Sequence, residues 1–333
     1  MPKTYSISGS KALLYGDLHL SAVYEGQHKD YLYECYTNMS LISDRVIEER
    51  PCAVFFLGDI VGVRERNIRD PEFFLRVYRF FKTLNEVTGG NVYSVRGNHD
   101  MGEFTDFDVL MGMDMIKNPD YVDYLSEEGS PLARFHLVNY GDESRDLEIL
   151  EGEGTSNVVL GHNDYFVDGV TNWYLHKNGV ELASLSNFDK VETIISGHIH
   201  NPSTELITAK CGTDSVDLFY TGSPARTAER YDDCWYLSFL REGEKESQYI
   251  TYEANFFGLE SADEVFYPKE DFELSEEEEA VAEENKKLSE IVKNILESRI
   301  ASGDLFDQIN RIPGFKENVR GIASRYLKEA MND

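Results

Sequence analysis

The sequence predicts an α/β fold, a β-sandwich flanked by helices and followed by a helical C-terminal tail. Three observations lead there. Six short apolar runs each end in a glycine and a polar residue, as buried strands do when they deliver functional loops. Between the early runs, apolar residues recur at intervals of three and four, the helical period. Beyond Pro268 the composition turns almost entirely to charge, and two amphipathic stripes follow.

The elements follow in order. "ALLYGDLH" is a strand leading into Asp17 and His19, and Leu32, Cys35, Met39, Ile42 and Val46 line one face of a helix. "AVFFLGDI" is the next strand, ending at Asp59; Phe74, Val77, Phe81 and Leu84 mark a second helix. "VYSVRGNHD" ends in Asn98, His99 and Asp100. "NVVLGHND", "TIISGHIH" and "LFYTGSPAR" then bring His162, the pair His198 and His200, and Ser223. Strand–helix alternation predicts mixed or parallel strands whose functional loops gather at the carboxyl ends. A glycine before each polar residue lets the backbone turn sharply and approach a ligand.

Residues 1–253 are read as this domain and 254–284 as a short acidic linker. Residues 285–333 are a helical tail, with nine Lys or Arg against seven Asp or Glu. Its stripes are Leu288, Ile291, Val292, Ile295 and Leu296, then Val319, Ile322, Ala323, Tyr326 and Leu327. They either pack back on the domain or dock a partner, held off the body by the acidic spacer.

A formal net charge of −29 argues against long-range attraction to nucleic acid or acidic membrane. With no apolar run of 18 residues and no leader pattern, a soluble, cytoplasmic protein without a membrane role is expected. Cys35, Cys52, Cys211 and Cys234 form no CxxC pair and are read as buried thiols.

Five of the eight histidines fall at the strand ends: His19, His99, His162, His198 and His200. The other three, His28, His136 and His176, are expected at the surface. Asp17, Asp59, Asn98 and four of the strand-end histidines offer mixed oxygen and nitrogen donors. That set suits manganese, iron or zinc better than calcium. Seven ligands exceed one tetrahedral ion but suit two octahedral ions if a carboxylate bridges them. The one-residue gap in "HIH" lets a bent strand end serve both.

In this order the D-x-H, G-D, G-N-H-D, G-H and G-H-x-H blocks resemble the calcineurin-like metallophosphoesterase superfamily over residues 11–240. "YTGSPAR", followed by "CWYLSFL" and "SQYITYEAN", looks like the corresponding block and terminal hairpin of SbcD-type DNA repair nucleases. The resemblance implies a metallophosphoesterase β-sandwich holding two divalent ions, manganese above all, with iron or zinc as alternatives. It assigns Asp17, His19, Asp59 and His200 to one ion, and Asp59, Asn98, His162 and His198 to the other, with Asp59 bridging. His99 matches the non-ligand histidine that contacts the scissile phosphate and serves the leaving oxygen. Asp100 is placed to orient that imidazole and favour its charged form.

The implied function is an SbcD-like exo- or endonuclease subunit acting on DNA, its tail binding an SbcC-like ATPase or a second copy of itself. The alternative is a phosphoesterase for a small nucleotide, cyclic or dinucleoside polyphosphate. Arg64, Arg66 and Arg226, with Arg96, either form a basic rim for phosphates or pair with neighbouring acids such as Glu65 and Asp70.

Overall fold

Strand β3 (Ala53–Leu57) shows why the apolar runs carry no polar alternation. Val54 and Phe56 point to one core, while Ala53, Phe55 and Leu57 point to another. A strand covered on both faces reads as continuous hydrophobic sequence. β3 pairs in parallel with β2 (Lys11–Tyr15) on one side and β4 (Val92–Val95) on the other. The hairpin β13 (Trp235–Arg241) and β14 (Ile250–Phe256) adds to β2 antiparallel, completing a five-stranded sheet. β14 therefore runs three residues past the domain boundary expected at 253.

The second sheet has seven strands in the order β1 (Thr4–Ser8), β5 (Tyr121–Leu125), β6 (Pro131–Val138), β7 (Ser156–Gly161), β10 (Thr193–Ser196), β12 (Asp214–Tyr220) and β11 (Ile207–Cys211). Its strands β6, β7, β10 and β12 are parallel to one another. A pair of two-residue strands, β8 (Tyr165–Phe166) and β9 (Val180–Glu181), stands apart. Phe55, Tyr93, Phe135, Leu160 and Ile195 belong to the core where the two sheets face each other.

The outer face of the five-stranded sheet is covered by α1 (Tyr31–Glu49), α2 (Pro71–Thr88) and α3 (Asp106–Gly112). Asp30 caps α1 by accepting from the Tyr33 amide, and Asp70 caps α2 by accepting from the Phe73 amide. Pro71 opens α2 and Gly89 closes it in the left-handed region. Cys35, Met39, Ile42 and Val46 of α1 are buried, as are Val77, Phe81 and Leu84 of α2. Leu32 and Phe74, expected on those faces, are only partly buried.

This computed structural model describes residues 3–9, 11–22, 30–62, 70–102, 105–142, 145–152, 154–166, 179–182, 190–200, 207–211, 214–225, 235–241 and 250–256. The chain divides into two compact units, Met1–Lys269 and Glu270–Asp333. The helical tail, and the acidic linker beyond Phe256, lie outside the described residues, as do His28 and His176. Among the described residues no helix is long and apolar enough to cross a membrane.

The expected placement of one histidine is overturned. His136 is not at the surface but 1 % exposed on β6, with Nε2 3.2 Å from Asn157 Oδ1. Burial lowers its pKa to about 4, so a neutral ring with a hydrogen-bond partner is what makes this site tolerable.

Candidate metal centre

The donors converge because strands of both sheets end at one place. The loops after β2, β3 and β4 carry Asp17 and His19, Asp59, and Asn98 and His99, while those after β7 and β10 carry His162, His198 and His200. Three of these residues, His19 (φ 44°), Asp59 (φ 47°) and His198 (φ 72°), take the left-handed backbone that side chains ordinarily avoid. Such strain persists only where surrounding contacts over-determine it, and it clusters at functional sites.

Those contacts can be followed atom by atom. The His19 amide donates to the Asp59 carbonyl at 2.9 Å, and Tyr31 Oη donates to the His19 carbonyl at 2.8 Å. The His198 amide donates to the Asp17 carboxylate at 3.0 Å, and the His99 amide to Asp59 Oδ1 at 2.9 Å. Ser223 Oγ donates to the Asp17 carbonyl at 2.7 Å and accepts the Ala225 amide at 3.1 Å. Gly97 is required by space: a Cβ there would collide with the carboxylate and amide of Asp59.

The side chains gather around Asp59 in two groups, with His99 as close to it as His19 is. In the first, His19 Nε2 and His200 Nε2 face each other at 3.0 Å. Asp17 Oδ1 lies 4.0 Å from His200 Nε2, and Asp59 Oδ2 lies 3.8 Å from His19 Nε2. In the second, Asn98 Oδ1 is 3.0 Å from both His162 Nε2 and His198 Nδ1, with Asp59 Oδ2 3.3 Å from His162 Nε2. His162 Nδ1 donates to the Leu57 carbonyl at 2.6 Å, which aims the other nitrogen into the group.

His99 stands at the mouth. Its side chain is 26 % exposed against 2 % for Asp59, and its Nε2 is 3.7 Å from Asp59 Oδ2. Asp100 behaves otherwise than expected. Its carboxylate accepts the amides of Gly97 at 2.9 Å, Val61 at 3.2 Å and Ile60 at 3.3 Å, and among the described residues nothing joins it to the His99 imidazole. Three backbone donors outcompete one side chain, so Asp100 knits the Asp59 loop to the Asn98 loop instead of orienting the ring.

The electrostatics suit a cation. Burial lowers His19 to about 3 and His198 and His200 to about 4, leaving neutral imidazoles with lone pairs to give. Burial, with Asp59 nearby, raises Asp17 to about 7. Burial would raise Asp59 too, but His162, His19 and His99 outweigh it and hold Asp59 below the usual carboxylate range. Burial disfavours the charged form of His162, yet Asp59 and Asp17 push it to about 9: the buried carboxylates demand positive charge. His19 Nδ1 is buried with no hydrogen-bond partner among the described residues. Neutral nitrogens facing one another, beside carboxylates that call for a cation, fit divalent ions.

Arg64, Arg66 and Arg226 lie outside the described residues. Arg96 is taken up: it pairs with Asp108, and its guanidinium sits 4.5 Å from the Phe107 ring. Three further residues complete the site, Ser223 from the G-S-P motif and Tyr31 and Tyr140 with no motif to flag them. Tyr31 and Ser223 pin the backbone of ligand loops, and Tyr140 packs its ring on His198 and His162 with centroids 5.9 and 6.4 Å apart.

Residues 10–202 match the family model described as calcineurin-like phosphoesterase. The chain belongs to that family, and is a metal-dependent phosphoesterase. No curated protein matches the sequence. Among solved structures, a dimetal phosphatase from Danio rerio is 14 % identical, with 69 % of this chain and 92 % of that chain covered and a TM-score of 0.41. The Thermus thermophilus protein TT1561 is 10 % identical, covering 68 % and 93 %, with a TM-score of 0.37. Yfce, a phosphoesterase from E. coli, is 16 % identical, covering 73 % and 98 %, with a TM-score of 0.36.

Proposed function

We propose that the chain is a two-metal phosphodiesterase of the SbcD nuclease type, cleaving DNA with manganese and working with an SbcC-like ATPase. The observation that carries it is the pair of donor groups sharing Asp59, with His99 at the open side. Asp17, His19, Asp59 and His200 would hold one ion, and Asp59, Asn98, His162 and His198 the other. Two ions so held supply an activated water and neutralise charge on the phosphate oxygens.

The remaining work belongs to the chain. The Leu57 carbonyl fixes the His162 tautomer, and Asp17 and Asp59 hold the backbones of His198 and His99 in place through accepted amides. His99, half-buried at the mouth, is the residue we assign to contact the phosphate and give a proton to the leaving oxygen. No serine or cysteine nucleophile is called for.

The nuclease reading draws on the G-S-P block, where Ser223 holds the Asp17 carbonyl, and on the β13–β14 hairpin beside β2. The tail supports a partner: each amphipathic stripe is too short to be stable alone and must bury its apolar face. The second reading, a small-nucleotide phosphoesterase, gains from Arg96, whose pairing with Asp108 removes one arginine from the phosphate rim.

The deciding assay supplies manganese and compares single- and double-stranded DNA with cyclic nucleotides and bis-p-nitrophenyl phosphate. The nuclease reading expects DNA cleavage that falls steeply with salt, because binding phosphates releases counterions. Cyclic-nucleotide turnover without DNA cleavage, even with an ATPase partner present, overturns it in favour of the second reading.

A further inference from the structure

Tyr5, Tyr33 and Tyr140 are the exposed tyrosines among the described residues, and only Tyr140 touches the donor cluster. Tyr140 follows β6, and its backbone is fixed: its amide donates to the Arg96 carbonyl at 2.9 Å. The neighbouring Asn139 Oδ1 accepts the Arg96 amide and Asn118 Nδ2, each at 2.8 Å. The ring is therefore tied to the same loop that presents Asn98 and His99. It borders His162 and His198, whereas His99 borders His19, with ring centroids 5.2 Å apart. Its hydroxyl has no partner among the described residues, so the side chain is not held there by a hydrogen bond.

From this placement we propose that Tyr140 is the platform on which a planar ring of the substrate, a nucleobase one sugar away from the phosphate, stacks. It is a specificity-determining residue and not a ligand. The inference rests on the phosphodiesterase reading above and deepens it by naming the residue that meets the nucleobase. A half-exposed aromatic on a fixed backbone beside a phosphate-binding cluster offers its π-face to any base, without reading its identity. One such stack is worth roughly 5- to 150-fold in affinity. The base could belong to DNA or to a free nucleotide, and the ring recognises both alike.

The test uses the full, manganese-loaded chain and two hydrolysis-inert phosphonates, one bearing an adenine ring and one a methyl group. Calorimetry on wild type, Tyr140→Phe and Tyr140→Ala gives the ratio of their affinities, and elemental analysis gives manganese content. Wild type and Tyr140→Phe should prefer the adenine compound, and Tyr140→Ala should lose that preference by roughly 5- to 150-fold while keeping its manganese. An unchanged ratio overturns the proposal. Lost manganese in Tyr140→Ala overturns it too, since the ring would then be a prop for His162 and His198. A larger effect on a single-stranded oligonucleotide than on a mononucleotide supports stacking of a DNA base; the reverse supports stacking of a free nucleotide. Should the loaded wild type hydrolyse no diester at all, the phosphodiesterase reading fails, while the affinity ratio still decides the role of Tyr140.

Discussion

Asp59→Asn tests the shared ligand most directly. Asp59 Oδ2 lies 3.8 Å from His19 Nε2 and 3.3 Å from His162 Nε2, so it belongs to both donor groups, whereas His200 belongs to one. Asparagine keeps an oxygen for the His99 amide, now at 2.9 Å from Oδ1, but removes the charge. An ion present at about 100 times its Kd stabilises the native state by about 2.7 kcal/mol, so two ions contribute about 5 kcal/mol. For a domain of this size that raises Tm by roughly 10–20 °C. Losing an outer partner of a metal ligand already costs about 10- to 100-fold in affinity, and losing a carboxylate common to two ions should cost more. Scanning calorimetry with chelator and then with manganese should show the full rise in wild type. His200→Gln should show about half of it, and Asp59→Asn almost none. If Asp59→Asn keeps the whole manganese-dependent rise and its metal content by elemental analysis, the bridging role is refuted.

Other outcomes follow from single side chains. His99→Gln should keep both ions by elemental analysis but lose roughly 10²–10⁴ in kcat, with a smaller loss for nitrophenyl esters, whose leaving groups need little protonation. Asp100→Asn sets an amide group against three backbone donors and should cost about 1–3 kcal/mol in chemical denaturation. The pH–rate profile should keep its shape, which an imidazole-orienting role would not allow. His136, buried and lowered to about 4, stays neutral in the fold while the unfolded chain takes up a proton near pH 6.5. Its contribution is present above that pH and lost as pH falls toward 4, so between pH 7 and 5 wild type should lose roughly 2 kcal/mol more than His136→Gln. Truncation after Glu284 should leave metal binding and small-diester hydrolysis near wild type and abolish capture of an SbcC-like ATPase, read by pull-down. A large fall in Tm of the truncated chain would instead make the tail part of the core.

Much of the architecture was legible because buried parallel strands leave a plain trace. "AVFFL" and "TIIS" are apolar on both faces, and each ends where a donor begins. α1 and α2 were legible from their buried faces. β5 and β6 were not: Asp123 and Arg134 sit opposite each other in the register and form an ion pair at 2.8 Å, so their charges disguise strands with buried neighbours. His136 was misplaced because sequence shows a polar residue but not the Asn157 that satisfies it. Tyr140 had no signal, since its contacts reach His162 and His198 only through the pairing of β6 with β7 and of β7 with β10.

The same distinction explains why the site's chemistry was easier to read than its support. A donor to a divalent ion comes from a short list of side-chain types, here Asp, His and Asn, so identity and spacing expose it. A supporting atom can be almost anything that reaches. Leu57 contributes a carbonyl to His162, Tyr31 a hydroxyl to His19, Ser223 a hydroxyl to Asp17, and Asp100 two oxygens to three amides. Together these hold His19, Asp59 and His198 in backbone conformations that each cost on the order of 1 kcal/mol or more. The strain is tolerable because strands of two packed sheets deliver the loops, and neither sheet can relax alone without breaking bonds to the other. Asp100 went wrong at the sequence level for this reason. Adjacency to His99 suggested a partner for the imidazole, whereas the fold needed an acceptor for the amides that turn the chain. In such a centre a specialised set of donors rests on an unspecialised scaffold of backbone hydrogen bonds, and the second is visible only once the chain is folded.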